Sequence, residues 1–303
     1  MAKKILITGA SGLIGSRLTE LLVQQGHRVC HLSRERKTGP VETFVWDPEE
    51  NTMDRSALQG VDTIIHLAGA GVADQPWTPA RKKEILDSRV QSTRLLLQTL
   101  KDNSNTVRSF ISASAIGYYG FADAQRLFAE NDEGGKDFLA EVTKAWEKEV
   151  DTLTALNLRV VKLRIGIVLS EKGGALKEIA KPIRLGFGSP LGSGQQYLSW
   201  IHLDDLCHLF VKAVEDEHLQ GVYNAVTDYC TNQAFAQACA KVLKKPLWLP
   251  AIPSVILKII LGDRADLVLN GSKISSSKIR ATGFHFHFET LEGALADLFI
   301  RRS

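Results

Sequence analysis

The sequence predicts an α/β fold, a doubly wound parallel sheet with a small C-terminal substrate-side domain, on three observations. Apolar, strand-like runs alternate with amphipathic helical stretches through the first half of the chain. A glycine-rich turn, Gly9-Ala-Ser-Gly12-Leu-Ile-Gly15, follows the first apolar run, Ile5-Leu6-Ile7, and leads into a helical stretch. After Ile165 the texture changes to glycine-rich segments and then to helices, as a second, smaller unit requires.

In chain order, strands are expected at 5–8, 28–32, 43–46, 63–67, 109–112 and 159–165. Helices are expected at 18–25, stopped by Gly26, and at 78–100 and 138–155. Near-continuous apolar strands alternating with helices imply a sheet covered on both faces. Gly173-Gly174 through Gly194 reads as a loop-rich insertion. A helix seeded at Asp204-Asp205, with one of these as its N-cap, and a short strand at 222–225 then return to the sheet. From about Asp228 onward, helices and a terminal strand, Phe284-His-Phe-His-Phe288, form the smaller unit. The division is a Rossmann-type domain over 1–170, rejoined by 200–227, and a substrate-side domain from 171–199 and 228–303.

Bulk composition narrows the partners. With 303 residues, 44% hydrophobic and 23% charged, the chain is an ordinary globular protein. A net charge of +3 is too small and too spread to argue for nucleic acid or a membrane surface. The basic start, Ala2-Lys3-Lys4, runs straight into a strand, so no signal peptide is expected. The most apolar late stretch, 255–261, is short and carries Lys258, so no bilayer span is expected. Cys30, Cys207, Cys230 and Cys239 lack metal-type spacing and read as reduced thiols of a cytoplasmic protein. His285 and His287 share one face of the expected terminal strand with no third ligand in view, so no metal site is expected.

Chemistry concentrates at strand ends. A helix that starts at a glycine turn offers unpaired N–H groups and the positive end of its dipole to a pyrophosphate. At the end of the second strand, where an NAD-type site carries a carboxylate, this chain has Ser33-Arg34, then Arg36 and Lys37. A carboxylate there repels a 2′-phosphate, whereas a hydroxyl beside a guanidinium accepts it, so the pattern favours NADP(H). Small residues at Ala68, Gly69 and Ala70, after the fourth strand, let the backbone approach a cofactor ribose.

These motifs together resemble an extended short-chain dehydrogenase/reductase. The resemblance rests on the glycine spacing, His66-Leu-Ala-Gly69, the serine-rich fifth strand ending near Tyr119-Gly120, Glu130, and Trp200-Ile-His-Leu-Asp-Asp205. More narrowly, the chain is similar to the YfcH-like NAD-dependent epimerase/dehydratase family. The narrower match lies in Trp77-Thr, Arg81-Lys-Lys-Glu84, Ser88-Arg89-Val, Ser114-Ala-Ile-Gly-Tyr-Tyr-Gly120, Trp146-Glu147 and Gly192-Ser-Gly194. The resemblance implies that Thr8, Gly9, Ser11, Gly12, Leu13, Ile14 and Gly15 wrap the pyrophosphate. It places Ser33 and Arg34 on the 2′-phosphate, Leu67 and Ala68 on the adenosine side, and Val168 toward the nicotinamide. It further implies that Arg89 pairs with a cofactor phosphate and Glu84 with ribose hydroxyls. A homodimer through two long helices beside the sheet is an expectation of the same resemblance.

The pattern breaks at the catalytic pair. Relatives place a Tyr-x-x-x-Lys on the helix where this chain, aligned through Glu147, has Leu139 and Thr143, and no Tyr-x-x-x-Lys occurs anywhere. Ser114 is retained as the group that would polarise a substrate oxygen, and Tyr118 or Tyr119 is the candidate replacement phenol, Tyr118 first. Two readings follow. One is an NADP(H)-dependent oxidoreductase or epimerase acting on a small carbonyl or sugar-like molecule. The other is a non-catalytic NADP(H)-binding sensor or regulatory protein.

Overall fold

The computed structural model describes residues 2–36, 38–121 and 126–301. Its strands are β1 (Lys4–Thr8), β2 (Arg28–Ser33), β3 (Glu42–Asp47), β4 (Thr52–Met53), β5 (Thr63–His66), β6 (Ser109–Ala115) and β7 (Leu127–Phe128). They continue with β8 (Arg159–Ile165), β9 (Ile167–Leu169), β10 (Tyr197–His202), β11 (Gly221–Ala225), β12 (Asp228–Thr231) and β13 (Lys273–Ile274). The helices are α1 (Leu13–Gln24), α2 (Pro79–Asp102), α3 (Phe138–Asp151), α4 (Ala175–Arg184) and α5 (Leu203–Glu215). After them come α6 (Asn232–Val242), α7 (Ser254–Leu261), α8 (Asp266–Leu269), α9 (Ser277–Arg280) and α10 (Leu291–Ala296).

The large sheet has eight strands in the order β11-β8-β6-β5-β1-β2-β3-β4. All neighbours run parallel except the edge pair β3–β4. Successive strands step from β1 to β2 and β3 on one side, then from β5 to β6 and β8 on the other. The carboxyl ends of β1 and β5 therefore form a switch point, where an open α/β sheet leaves a crevice for ligand. The central strands read Ile5-Leu-Ile7, Ile64-Ile65 and Phe110-Ile111 and are fully buried, because helices cover both faces. Helix α1 packs on α5 and α2 on α3.

A second core surrounds a three-stranded sheet, β12-β10-β9. There Leu176, Ala180, Leu198, Trp200, Phe235 and Leu295 pack together, apart from the large-sheet core. β10 pairs with β9 and β12, so residues 197–202 belong to this smaller sheet, while β11 joins the large one.

Several expected elements shift. Helix α1 begins at Leu13, not residue 18, because Gly12 is its N-cap and the turn leads directly into the helix. The helix expected over 138–155 ends as an α-helix at Asp151 and tightens into a 3₁₀ turn, Thr152–Leu156, before left-handed Asn157. The stretch 173–194 is not all loop. It contains α4, whose Leu176, Ala180 and Ile183 form an apolar stripe at helical spacing that Gly173-Gly174 and Pro182 obscure in the sequence. The N-cap of α5 is His202, whose Nδ1 accepts the Asp204 amide at 3.1 Å, so neither Asp204 nor Asp205 is the cap. Residues 284–288 form no strand. Phe284 and Phe286 are buried and His285 and His287 exposed, as alternation demands. Instead of pairing with a strand, the His287 and Phe288 amides donate to the Asp205 carboxylate.

Candidate functional site

The glycine turn closes against the loop after β5. Gly9 has φ +68°, and a Cβ there would stand 2.8 Å from the Leu67 carbonyl carbon and 2.9 Å from the Ala68 nitrogen. A Cβ on Gly15 would stand 2.5 Å from the Gly9 oxygen, so this glycine lets α1 rise directly against the turn. Gly12 caps α1 with no side-chain bond, and the first turn of the helix carries no acidic residue. Its leading amides and the positive end of its dipole are therefore left to face a ligand. Ser11 stands exposed on the same turn.

A cleft of about 350 Å³ opens at this point. Gly9, Gly12 to Gly15, Leu67 and Val168 all line it, so those predicted residues meet. The cleft also takes in Ile167, Gly174 and Ala175, which sequence reasoning missed. Gly174 is the N-cap of α4, again without a side-chain cap. Two uncapped helix starts thus border one crevice. The signal was the Gly173-Gly174 pair, whose second member takes φ +75°.

Thr8 lies beneath the turn, its side chain fully buried. Its Oγ1 accepts the Leu67 and Ala68 amides at 3.1 and 3.2 Å and lies 2.8 Å from His66 Nδ1. With both amides accepted, the hydroxyl proton is directed to Nδ1. His66 then carries its proton on Nε2, which faces Ser92 and Thr93 Oγ on α2 at 3.2 Å. Burial, aided by the Arg89 charge, lowers the His66 pKa to about 3, so the ring is neutral. The Thr8 side chain thus latches β1 to β5.

At the adenosine end, Ser33 closes β2, and its hydroxyl accepts the Glu35 amide at 3.4 Å. Arg34 and Arg36 are exposed and, among the described residues, have no ionic partner. Lys37 lies outside the described residues. On α2, Arg89 Nη1 donates to the carbonyls of Ala70 (3.0 Å) and Ile85 (2.8 Å), and the guanidinium lies 5.3 Å from the Trp146 ring centre. It passes so close to Gly69 that a Cβ there would meet Arg89 Cζ at 3.2 Å. Burial, with Arg81 adding to it, lowers the Arg89 pKa to about 10. No carboxylate pairs with Arg89 among the described residues. Glu84, one turn earlier, bonds Arg81 at 2.8 Å.

The opposite corner, where β6 and β8 end, is filled by charge. Arg164 on β8 forms a two-pronged pair with Glu147 on α3, Nε–Oε1 2.8 Å and Nη2–Oε2 2.9 Å. Ser114 Oγ donates to the same Glu147 Oε1 at 2.6 Å. Arg164 Nη1 reaches the Tyr119 hydroxyl at 3.0 Å, and that hydroxyl donates to Asn224 Oδ1 at 2.7 Å. The Tyr118 ring lies face-on to the Arg164 guanidinium, 3.4 Å from centre to Cζ. Burial favours a neutral Glu147, but the Arg164 bonds and charge, the Ser114 bond and the Lys162 charge outweigh it and hold its pKa below the usual carboxylate range. The reciprocal effect raises that of Arg164. Leu139 and Thr143 face Gly117 on the turn after Ser114. The role of Glu147 and Arg164 was missed. Its signal was Lys162 and Arg164 at alternate positions of a strand that is otherwise apolar after Arg159, since a cation buried there requires a partner.

A model of the NAD dependent epimerase/dehydratase family matches residues 5–225. The chain belongs to that family. Residues 252–298 match a domain of unknown function, DUF1731. The chain is 32% identical over 299 residues to mouse epimerase family protein SDR39U1, covering 97% of this chain and 99% of the relative. It is 32% identical over 301 residues to the Bacillus subtilis epimerase family protein YfhF, covering 98% of each. It superimposes on the crystal structure of human SDR39U1 (isoform 2) with NADPH at a TM-score of 0.87 and 31% identity, over 97% of this chain and 98% of that one. More distant family structures share only the fold, such as the UDP-glucose 4-epimerase of Thermus thermophilus at 21% identity and a TM-score of 0.74, over 97% of each chain. Among the described residues no helix is long and apolar enough to cross a membrane.

Proposed function

We propose that this family member binds NADP(H) in the cleft between α1 and α4 and acts as an oxidoreductase or epimerase-like protein on a small carbonyl or sugar-like substrate. The observation that carries the cofactor assignment is the pair of uncapped helix N-termini on one crevice at the sheet's switch point. The human relative's crystal structure with NADPH supports it. In this reading the pyrophosphate lies over Gly9, Ser11, Gly12, Leu13, Ile14 and Gly15, with Thr8 holding the floor. Ser33 and Arg34 take the 2′-phosphate, and Leu67, Ala68 and Gly69 admit the adenosine ribose. Arg89, largely buried and without an acidic partner among the described residues, is a cation placed beside that loop, with Glu84 and Val168 on its margins. When bound, NADP(H) supplies a hydride donor or acceptor at its nicotinamide. Ser114 would orient a substrate oxygen, and Tyr118 would hold the proton at its phenol. The smaller core would form the substrate-side unit, and a homodimer and a cytoplasmic setting complete the proposal.

A second reading, a non-catalytic NADP(H) sensor, draws on the corner itself. Leu139 and Thr143 cannot transfer a proton as Tyr and Lys do, and the Ser114 proton is already donated to Glu147. Fluorescence titration with NADPH and NADH tests the cofactor. Tighter NADPH binding is expected, and equal or tighter NADH binding overturns the assignment. Stereospecific transfer of label from NADPH to a carbonyl or nucleotide-sugar substrate separates the readings. Tight NADPH binding with no transfer across such a panel favours the sensor.

A further inference from the structure

We propose that Asp205, His208 and His287 form a site for a divalent transition metal of the zinc class, which clips the C-terminal segment to α5. The three come from two distant parts of the chain. Asp205 and His208 lie one turn apart on the same face of α5, and His287 follows the buried Phe286. One donor atom from each lies within 4.8 Å of the other two. Metal–nitrogen and metal–oxygen bonds of about 2.0–2.2 Å in a tetrahedral site put donors roughly 3.3–3.5 Å apart, so the cluster needs only a modest closure. The His287 ring can supply it, because that side chain is 63% exposed.

The carboxylate is already oriented. Asp205 is fully buried, and its oxygens accept the amides of His287 at 2.8 Å and Phe288 at 3.1 Å, fixing the plane from behind. Backbone donors of this kind are what hold a ligating carboxylate in place. His287 Nδ1 stands 3.1 Å from the same Asp205 oxygen. The His208 ring lies against that of His287, centres 4.8 Å apart and planes 35° apart. Its Nδ1 is buried and, among the described residues, has no hydrogen-bond partner. A buried polar atom without a partner is costly, and a metal ion would satisfy it.

The surrounding charges also suit a cation. Asp204 and Asp205 lie on the same helix, and Arg17 of α1 is tied to Asp204 by a two-pronged bond, 2.8 and 3.2 Å. Arg17 is also shared with Glu20 at 3.0 Å, so Asp205 is the carboxylate of this helix turn that faces the two imidazoles. Two imidazoles and one carboxylate are a donor set that suits zinc, cobalt and nickel, with the solvent side of His287 free for water to complete the shell.

The test uses the full chain after chelator treatment. Zinc chloride titrated by calorimetry at pH 7.5 is expected to bind once per chain and to raise Tm. Cobalt(II) is expected to give the visible absorption of a low-coordinate N/O site. His208→Ala and His287→Ala each lose the Tm rise and the cobalt spectrum, while their metal-free Tm stays near that of the parent. Asp205 is left intact because it also holds two backbone amides. Zinc binding weaker than millimolar, or binding and stabilisation unchanged in the His208→Ala, His287→Ala double variant, overturns the proposal.

Discussion

At the β1–α1 end of the cleft, recognition is built from what is absent. Gly9, Gly12 and Gly15 carry no side chains, and two helices begin without caps, so backbone amides are what this end offers a ligand. At the β6–β8 end, Ser114, Glu147, Arg164 and Tyr119 fill the corner with polar side chains that satisfy one another. The first end is made to receive an anion. The second has its ionic bonds closed within the protein. The contrast shows that one cleft can be open to an anion at one end and closed by its own ion pairs at the other.

That contrast can be broken most forcefully at the corner. Arg164→Ala leaves Glu147 as a buried charge without its main partner and should cost about 3–5 kcal/mol in denaturant unfolding. A loss below about 1 kcal/mol would mean the corner is solvated and open rather than closed. At the other end, Arg34→Ala should weaken NADPH binding about tenfold or more, or about 1.4 kcal/mol, and leave NADH unchanged. Equal losses for both cofactors would remove Arg34 from the 2′-phosphate. Gly15→Ala presses a methyl into the Gly9 carbonyl, and overpacking of this kind typically costs about 1–3 kcal/mol. A parallel loss of NADPH affinity would tie the fold and the site to one contact.

Acid sharpens the comparison with a graded effect. His66 is neutral in the fold with a pKa lowered to about 3, while an unfolded histidine titrates near its ordinary 6.5. Between these values the unfolded chain binds the extra proton, so stability is present above about pH 6.5 and falls on acidification. This one group contributes a slope of up to about 1.4 kcal/mol per pH unit in that window. His66→Gln should flatten that part of the stability–pH curve. An unchanged slope would place the titration elsewhere.

How much was legible in the sequence follows the same division. Glycine at 9, 12 and 15 after Ile5-Leu-Ile7 signals a backbone requirement that hardly depends on the rest of the fold, so the turn, the parallel sheet and the cleft were all predictable. The corner was not, because Glu147 and Arg164 are 17 positions apart and only the packing of α3 on β8 brings them together. Helix α4 was hidden by Gly173-Gly174 and Pro182, residues that usually end helices but here flank or interrupt a buried stripe. The strand expected at 284–288 had the right alternation and no partner strand. The Asp205 carboxylate supplies the bonds a neighbouring strand would have made, and no local pattern announces it.

The His66 imidazole has a mechanical consequence. Through Thr8 it is fastened to the first strand, and through Ser92 and Thr93 to the long helix, whose own hydroxyls grip the Arg89 carbonyl. Floor and wall are thereby tied together, and the Arg89 guanidinium is held separately by the Ala70 and Ile85 carbonyls. Little of the binding energy is spent on ordering these parts, so affinity at this end should be set by the nucleotide's own contacts and not by the stiffening of a loose host.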